Sequence, residues 1–266
     1  MFEPHSAPLQ QSPQFARALR TYGSVVIGTD PVILQRSFGR FGAVSFASRA
    51  TPESVANTPV RILNGETPCP RAYRDAGFRQ VITPSHIAEW SLDQPDLRAT
   101  LHPKWRNQLV KGEKQQVQIS ENIWDGSPHE LFAQSVRLGR QRGFTSYPFK
   151  LLSAFASQNA GGAVIFEAYS QDTLIGACLI LRHGTTATYQ TAWASETGKA
   201  LQAPRLLLWR AASRMASLGH STLDLGIVET DRSAGLARFK LGTGANLRQL
   251  GGTWVRLNSR QKKLAR

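Results

Sequence analysis

The sequence predicts an α/β (α+β) protein built on a mixed sheet. The first observation is a run of three apolar, β-branched segments at 163–169, 174–181 and 187–193. They are separated by the turn pairs Gln171-Asp172 and His183-Gly184, the pattern of an antiparallel meander. The second is a loop over 195–204 leading to a helix over 205–218. Leu207, Ala211, Met215 and Leu218 keep a three-to-four spacing in it, Gly219 is placed to end it, and a strand over 223–227 follows. The third is a set of short strand-like runs before residue 95, each closed by Pro or Gly.

Along the chain, residues 1–12 are polar and Pro-rich and are expected as a flexible tail. Ser12-Pro13 opens a helix with Phe15, Ala18 and Leu19 on one side. Strands follow at 24–27, 32–34 and 43–46, with a short helix from Thr51 and a strand at 60–63. The segment 76–84 leads into an apolar stretch at 87–92. A helix over 101–114 carries Pro103 in its first turn, Trp105 and Leu109 on one side, and Lys104, Arg106, Lys111 and Lys114 around the rest. A strand at 117–119 precedes an amphipathic helix over 129–142. The last eleven residues hold five basic groups and no acid, so 259–266 is expected as a basic tail.

Hydrophobic residues at 41% and charged residues at 19% argue against a disordered chain. The formal net charge of +14, from 32 Lys and Arg against 18 Asp and Glu, points to an anionic partner or to an Arg-rich compositional bias. Such a partner is RNA, a nucleotide cofactor, an anionic carrier or a membrane surface. Cys69 and Cys178 form no metal or redox spacing. The N-terminus has no apolar signal core and no stretch reaches 18 apolar residues, so the expectation is a cytoplasmic protein that spans no membrane.

The residues with chemistry to offer cluster between 199 and 254. Asp224 alternates with Leu223 and Leu225, so its carboxylate lies on the opposite sheet face. It serves either as a base or anchor, or as a structural carboxylate paired with an arginine. Glu229 and Asp231 lie just past that strand, and Phe239-Lys240 sits in the segment Gly235-Leu-Ala-Arg-Phe-Lys-Leu-Gly-Thr-Gly244. Lys240 is either a surface lysine or a functional cation.

Several short pieces occur in order over about 180 residues: Gly77-Phe78-Arg79 with Thr83-Pro84, Lys104-Trp105-Arg106-Asn107-Gln108-Leu109, Ala203-Pro204-Arg205 through Trp209, Leu223-Asp224-Leu-Gly226, Gly235 through Lys240, and Gly251-Gly-Thr-Trp254. From about residue 72 the chain resembles the FemABX-like branch of the GNAT superfamily (GCN5-related N-acetyltransferases), including the BioF2-like acetyltransferase domain. The resemblance implies a mixed sheet with splayed central strands in two tandem GNAT-like halves. A degenerate first half would cover 13–95 and the acyltransferase domain 96–258. It implies acyl transfer to an amine by direct attack, needing neither metal nor covalent intermediate. Lys240 would polarise the donor carbonyl beside Phe239, and Asp224 would orient or deprotonate the amine. Lys199 and Arg205 would hold donor phosphates, although the glycines of the usual pyrophosphate loop are replaced by Gly198-Lys-Ala-Leu-Gln-Ala-Pro-Arg205. Trp105, Arg106, Asn107, Lys111 and Glu229 would contact substrate.

Three functions are consistent with these residues. One is an acyltransferase using acyl-CoA on a small or envelope-related amine. The next is the same chemistry from aminoacyl-tRNA, favoured by the altered loop and the positive charge. The last is a non-catalytic GNAT-like module that binds an anionic partner through its basic face.

Overall fold

The computed structural model describes residues 7–39, 42–143 and 146–256. The first half runs α1 (Pro13–Thr21), β1 (Val25–Thr29), β2 (Val32–Ser37), β3 (Ala43–Ala50), α2 (Pro52–Val55), β4 (Ile62–Gly65), α3 (Pro70–Asp75), β5 (Arg79–Ile82) and β6 (His86–Ser91). Then come α4 (Pro103–Glu113), β7 (Gln118–Ile123), α5 (Glu130–Arg142) and α6 (Phe149–Gln158). The second half continues with β8 (Ala163–Ser170), β9 (Thr173–His183), β10 (Thr186–Ala194), α7 (Glu196–Ala200), α8 (Ala203–Ser217), β11 (Thr222–Val228), α9 (Thr230–Leu241), β12 (Asn246–Gln249) and β13 (Gly252–Val255).

One sheet has the order β1-β2-β3-β4-β13-β5 and the other β12-β6-β11-β10-β9-β8-β7. The two halves repeat one plan: a helix, a three-strand antiparallel meander, a helical crossover, and a strand parallel to the last meander strand. The crossover is α2, four residues long, in the first half and α8, fifteen residues long, in the second. That contrast is the degeneration expected of the first half.

The halves also exchange strands. β6 leaves the first half to pair with β11 and β12, and β13 leaves the second to pair with β4 and β5. The sequence position near residue 95 is therefore not a division between sheets. Each sheet gains an internal strand from the other half, which covers backbone that would otherwise be an open edge.

Packing follows the alternation of side chains. On the second sheet, Val164, Phe166, Cys178, Ile180 and Leu223 face α4 and α8 in one core. Ala163, Ile165, Ala177 and Leu179 face α1 and α6 in another. The first sheet buries Leu63, Tyr73, Phe78 and Trp254, with Tyr73 and Trp254 stacked 4.7 Å apart.

Residues 7–12 correct one expectation. The polar composition pointed to a flexible tail, but Leu9–Gln11 form a 3-10 turn with Leu9 fully buried. Gln11 is held between Val32 and Ser48, and Ser12 caps α1 by accepting from the Phe15 N–H at 3.1 Å. One buried leucine, the Gln11 amide and the Ser12 hydroxyl dock the segment. Residues 1–6 and the expected basic tail 259–266 lie outside the described residues. Helix α6 was not expected, although Leu151, Leu152 and Phe155 mark its buried face.

Candidate active site at the parting of two parallel strands

The ladder between β10 and β11 has three pairs: Thr186 with Thr222, Ala187 with Leu223, and Thr188 with Asp224. Beyond them β10 runs on to Ala194 and β11 to Val228 without pairing to each other, so the central strands splay. A bulge in β11 between Asp224 and Ile227, set against β6, accompanies the parting. Gly226 supplies its φ of +75°, a conformation glycine adopts without a Cβ penalty.

Lys240 reaches this bulge from α9. Its ammonium donates to the Ile227 carbonyl at 2.7 Å, and a Cβ on Gly226 would lie 3.7 Å from Nζ. The residue is 8% exposed. Burial pushes the ammonium down to about 8, against the charges of Asp224 and Glu229, which favour protonation. At neutral pH it is still a cation, one that ordinary burial rules disfavour.

Phe239, the residue before it on α9, belongs to an aromatic and cationic stack. The Arg205 guanidinium lies 5.9 Å from the Trp105 ring centre and 5.8 Å from that of Phe239. Trp105 Nε1 donates to the Phe239 carbonyl at 3.0 Å. Arg205 Nη1 donates to Gln202 Oε1 at 2.6 Å, while its Nε is buried without a partner among the described residues. Burial lowers its pKa. Gly242 permits this packing, because a Cβ there would fall 2.6 Å from Trp105 Cδ1.

The start of α8 differs from a phosphate-binding helix end. Gln202 precedes it in a left-handed conformation, and the Arg205 and Leu206 N–H groups both bond the Gln202 carbonyl. Pro204 has no N–H. Gly112 of α4 packs so closely that a Cβ would lie 2.9 Å from Gln202 Cβ. An anion here would meet side chains more than backbone amides. Lys199 is exposed on α7 and paired with Glu196 at 2.5 Å. The turn bearing it is pinned by Gly198, whose Cβ would come within 2.1 Å of the Ile175 carbonyl.

Asp224 is engaged on both oxygens. Oδ2 accepts from Arg49 Nη1 at 3.0 Å and Oδ1 from the Gly226 N–H at 2.7 Å. Arg49 also pairs with Glu66, and Arg248 bridges Glu66 at 2.5 Å and Glu89 at 2.6 Å. Burial opposes the charge of Arg49, yet its bonds to Glu66 and Asp224 hold its pKa up. These five groups line a polar cavity of about 220 Å³ between the halves. Of the two roles open to Asp224, the geometry displays pairing with an arginine.

Among the expected substrate contacts, Trp105 is 3% exposed and its indole nitrogen donates to the Phe239 carbonyl. Asn107 and Lys111 are exposed on the outer side of α4 and Arg106 is half-buried there. Glu229 and Asp231 are exposed at the start of α9. Sequence reasoning missed Arg49, Glu66, Glu89 and Arg248, which carry no local signal beyond their charge. Among the described residues no group of three His, Cys, Asp or Glu is arranged to hold a metal, and no helix is long and apolar enough to cross a membrane.

Residues 126–245 match the family model described as an acetyltransferase (GNAT) domain. No curated protein matches the sequence. Among solved structures, FemX matches with a TM-score of 0.73 at 11% identity over 95% of this chain and 92% of its own. The C-terminal domain of a protein assigned as a lysylphosphatidylglycerol synthetase from Agrobacterium fabrum gives 0.62 at 15%, over 93% and 88%. L-PGS from Bacillus licheniformis gives 0.52 at 13%, over 94% and 93%. At these identities the likeness is one of fold.

Proposed function

We propose that this chain, whose residues 126–245 match a GNAT acetyltransferase domain and whose fold is similar to that of FemX, transfers an acyl group from acyl-CoA to an amine by direct attack. The supporting observation is the buried Lys240 ammonium at the bulge where β10 and β11 part. The unpaired stretch of β10 offers an edge along which an extended, amide-bearing arm can lie as an added strand. The acyl carbon would then sit in the gap. The amine nitrogen forms the new C–N bond and negative charge builds on the carbonyl oxygen; as that charge returns, the C–S bond breaks and the departing thiolate takes up the proton the amine loses. Lys240 meets the oxyanion, a contribution of about 2.7–4 kcal/mol for one good donor. Arg205, which has no acidic partner among the described residues, takes a donor phosphate with Lys199 near the entrance. We assign Asp224 to holding β11 in its parted position through Arg49, in place of proton abstraction.

The satisfied amides at the start of α8 favour a second reading, in which the donor is an aminoacyl-tRNA ester. Lys104, Lys111 and Lys114, exposed on α4, would then meet its phosphates. Calorimetric titration separates the two. Acetyl-CoA binding at one per chain, weakened by Arg205→Ala, supports the first. Binding of a non-hydrolysable aminoacyl-tRNA analogue that falls steeply with added salt supports the second. If neither donor binds, the acyl-transfer proposal fails.

A further inference from the structure

Away from Lys240, a cavity of about 420 Å³ opens between the first sheet and α1. Its volume falls in the range of pockets that hold small organic ligands. The sheet wall is made by Val32 and Leu34 of β2 and Phe46 of β3, Leu34 and Phe46 being cross-strand partners. Phe15 and Leu19 of α1 form the facing wall, with Tyr147 closing one end. None of Lys240, Arg205, Phe239 or Asp224 lines it.

Among its described lining residues Arg36 is the one charged side chain, and no carboxylate accompanies it. The guanidinium rests 5.8 Å from the Phe46 ring centre and is exposed. Gln10 Nε2 donates to the Tyr147 hydroxyl at 3.0 Å, and both residues line the cavity. Val32, Leu34 and Arg36 alternate along β2 and share one face, a wall that runs roughly 13 Å from Val32 to the cation.

We propose that this cavity binds a small anionic amphiphile: an apolar chain with a carboxylate or phosphate on Arg36. The lining supplies each part. The apolar walls take the chain, and the lone cation selects the anionic end. The site stands independently of the acyl-transfer proposal. It backs onto the charge network, because Ser48 lines this cavity and the next residue, Arg49, lines the polar one.

The test is calorimetric titration of the full chain with dodecanoate, dodecyl phosphate and dodecanol. The expected result is 1:1 binding of dodecanoate or dodecyl phosphate at least tenfold tighter than dodecanol. Dodecyl phosphate against dodecanoate tells which anion Arg36 prefers, and tighter binding of either over dodecanol supports the site. Arg36→Glu, an exposed change, should weaken the anionic probes at least tenfold and leave dodecanol unchanged. Leu34→Trp should block every probe while thermal melts confirm a folded chain. Absence of binding by all three probes overturns the proposal. So does anionic-probe affinity that is unchanged in Arg36→Glu, whatever Leu34→Trp does.

Discussion

Replacing Lys240 by Met tests whether the buried ammonium is an energetic liability kept for its charge. Its pKa falls from 10.5 to about 8 on folding because burial disfavours the charged form. That difference corresponds to a stability cost of about 3 kcal/mol while the group is protonated in both states. The cost is present in full below about pH 8. Between about 8 and 10.5 the unfolded chain holds the proton and the folded chain has released it, so stability rises with pH through that window. Methionine has no such dependence. Urea denaturation of wild type and Lys240→Met at pH 7 and pH 10 should therefore show the wild type gaining about 2–3 kcal/mol on the variant. All other titrating groups are common to both and cancel in the comparison. The variant should also lose about 100- to 1,000-fold in acyl transfer, the scale of one oxyanion donor. A stability difference that stays constant within about 0.5 kcal/mol across this range would mean that Lys240 is not held in the way described.

The same cation should give acyl transfer an alkaline limb. The rate should fall as pH rises through about 8, where Lys240 loses its proton, and Lys240→Arg should move the limb upward; a flat profile in an initial-rate assay counts against the role. Arg49→Ala leaves Asp224 and Glu66 buried without their shared partner and should cost about 3–5 kcal/mol in denaturant titration. Adding Asp224→Asn should recover part of that loss, and strict additivity of the two changes would argue against the pairing. Gly198→Val forces a side chain against the Ile175 carbonyl and should destabilise by about 1–3 kcal/mol, with weakened donor binding in calorimetry. Residues 1–95 and 96–266 expressed apart should each show poor secondary structure by far-ultraviolet circular dichroism and recover it on mixing, because each sheet borrows a strand from the other piece; a cooperative melt from either alone would contradict this.

Much of the architecture is legible locally. Ser12 before Pro13, Gly219 after the long helix and the alternating strands at 163–193 act within a few residues of themselves, and the structure places α1, α8 and the meander there. Helix α6 carries the same kind of local signal in the spacing of Leu151, Leu152 and Phe155. In the helix over 101–114 the spacing sets Trp105 and Leu109 on one side and the lysines around the rest, and the structure turns the Trp105 indole inward to the Phe239 carbonyl.

From residue types and spacing alone come the mixed α/β class, the meander and long helix over 163–218, and the segment that holds Asp224 and Phe239-Lys240; the repeat of two halves came from the family resemblance. Tertiary packing chose the rest: the exchange of β6 and β13 between sheets, the depth of Lys240, and the choice of Arg49, 175 positions away, as the partner of Asp224. Periodicity and capping are set by a residue's neighbours along the chain. The fate of a buried charge depends on which distant groups share its loss of water, and that is settled when the two sheets come together.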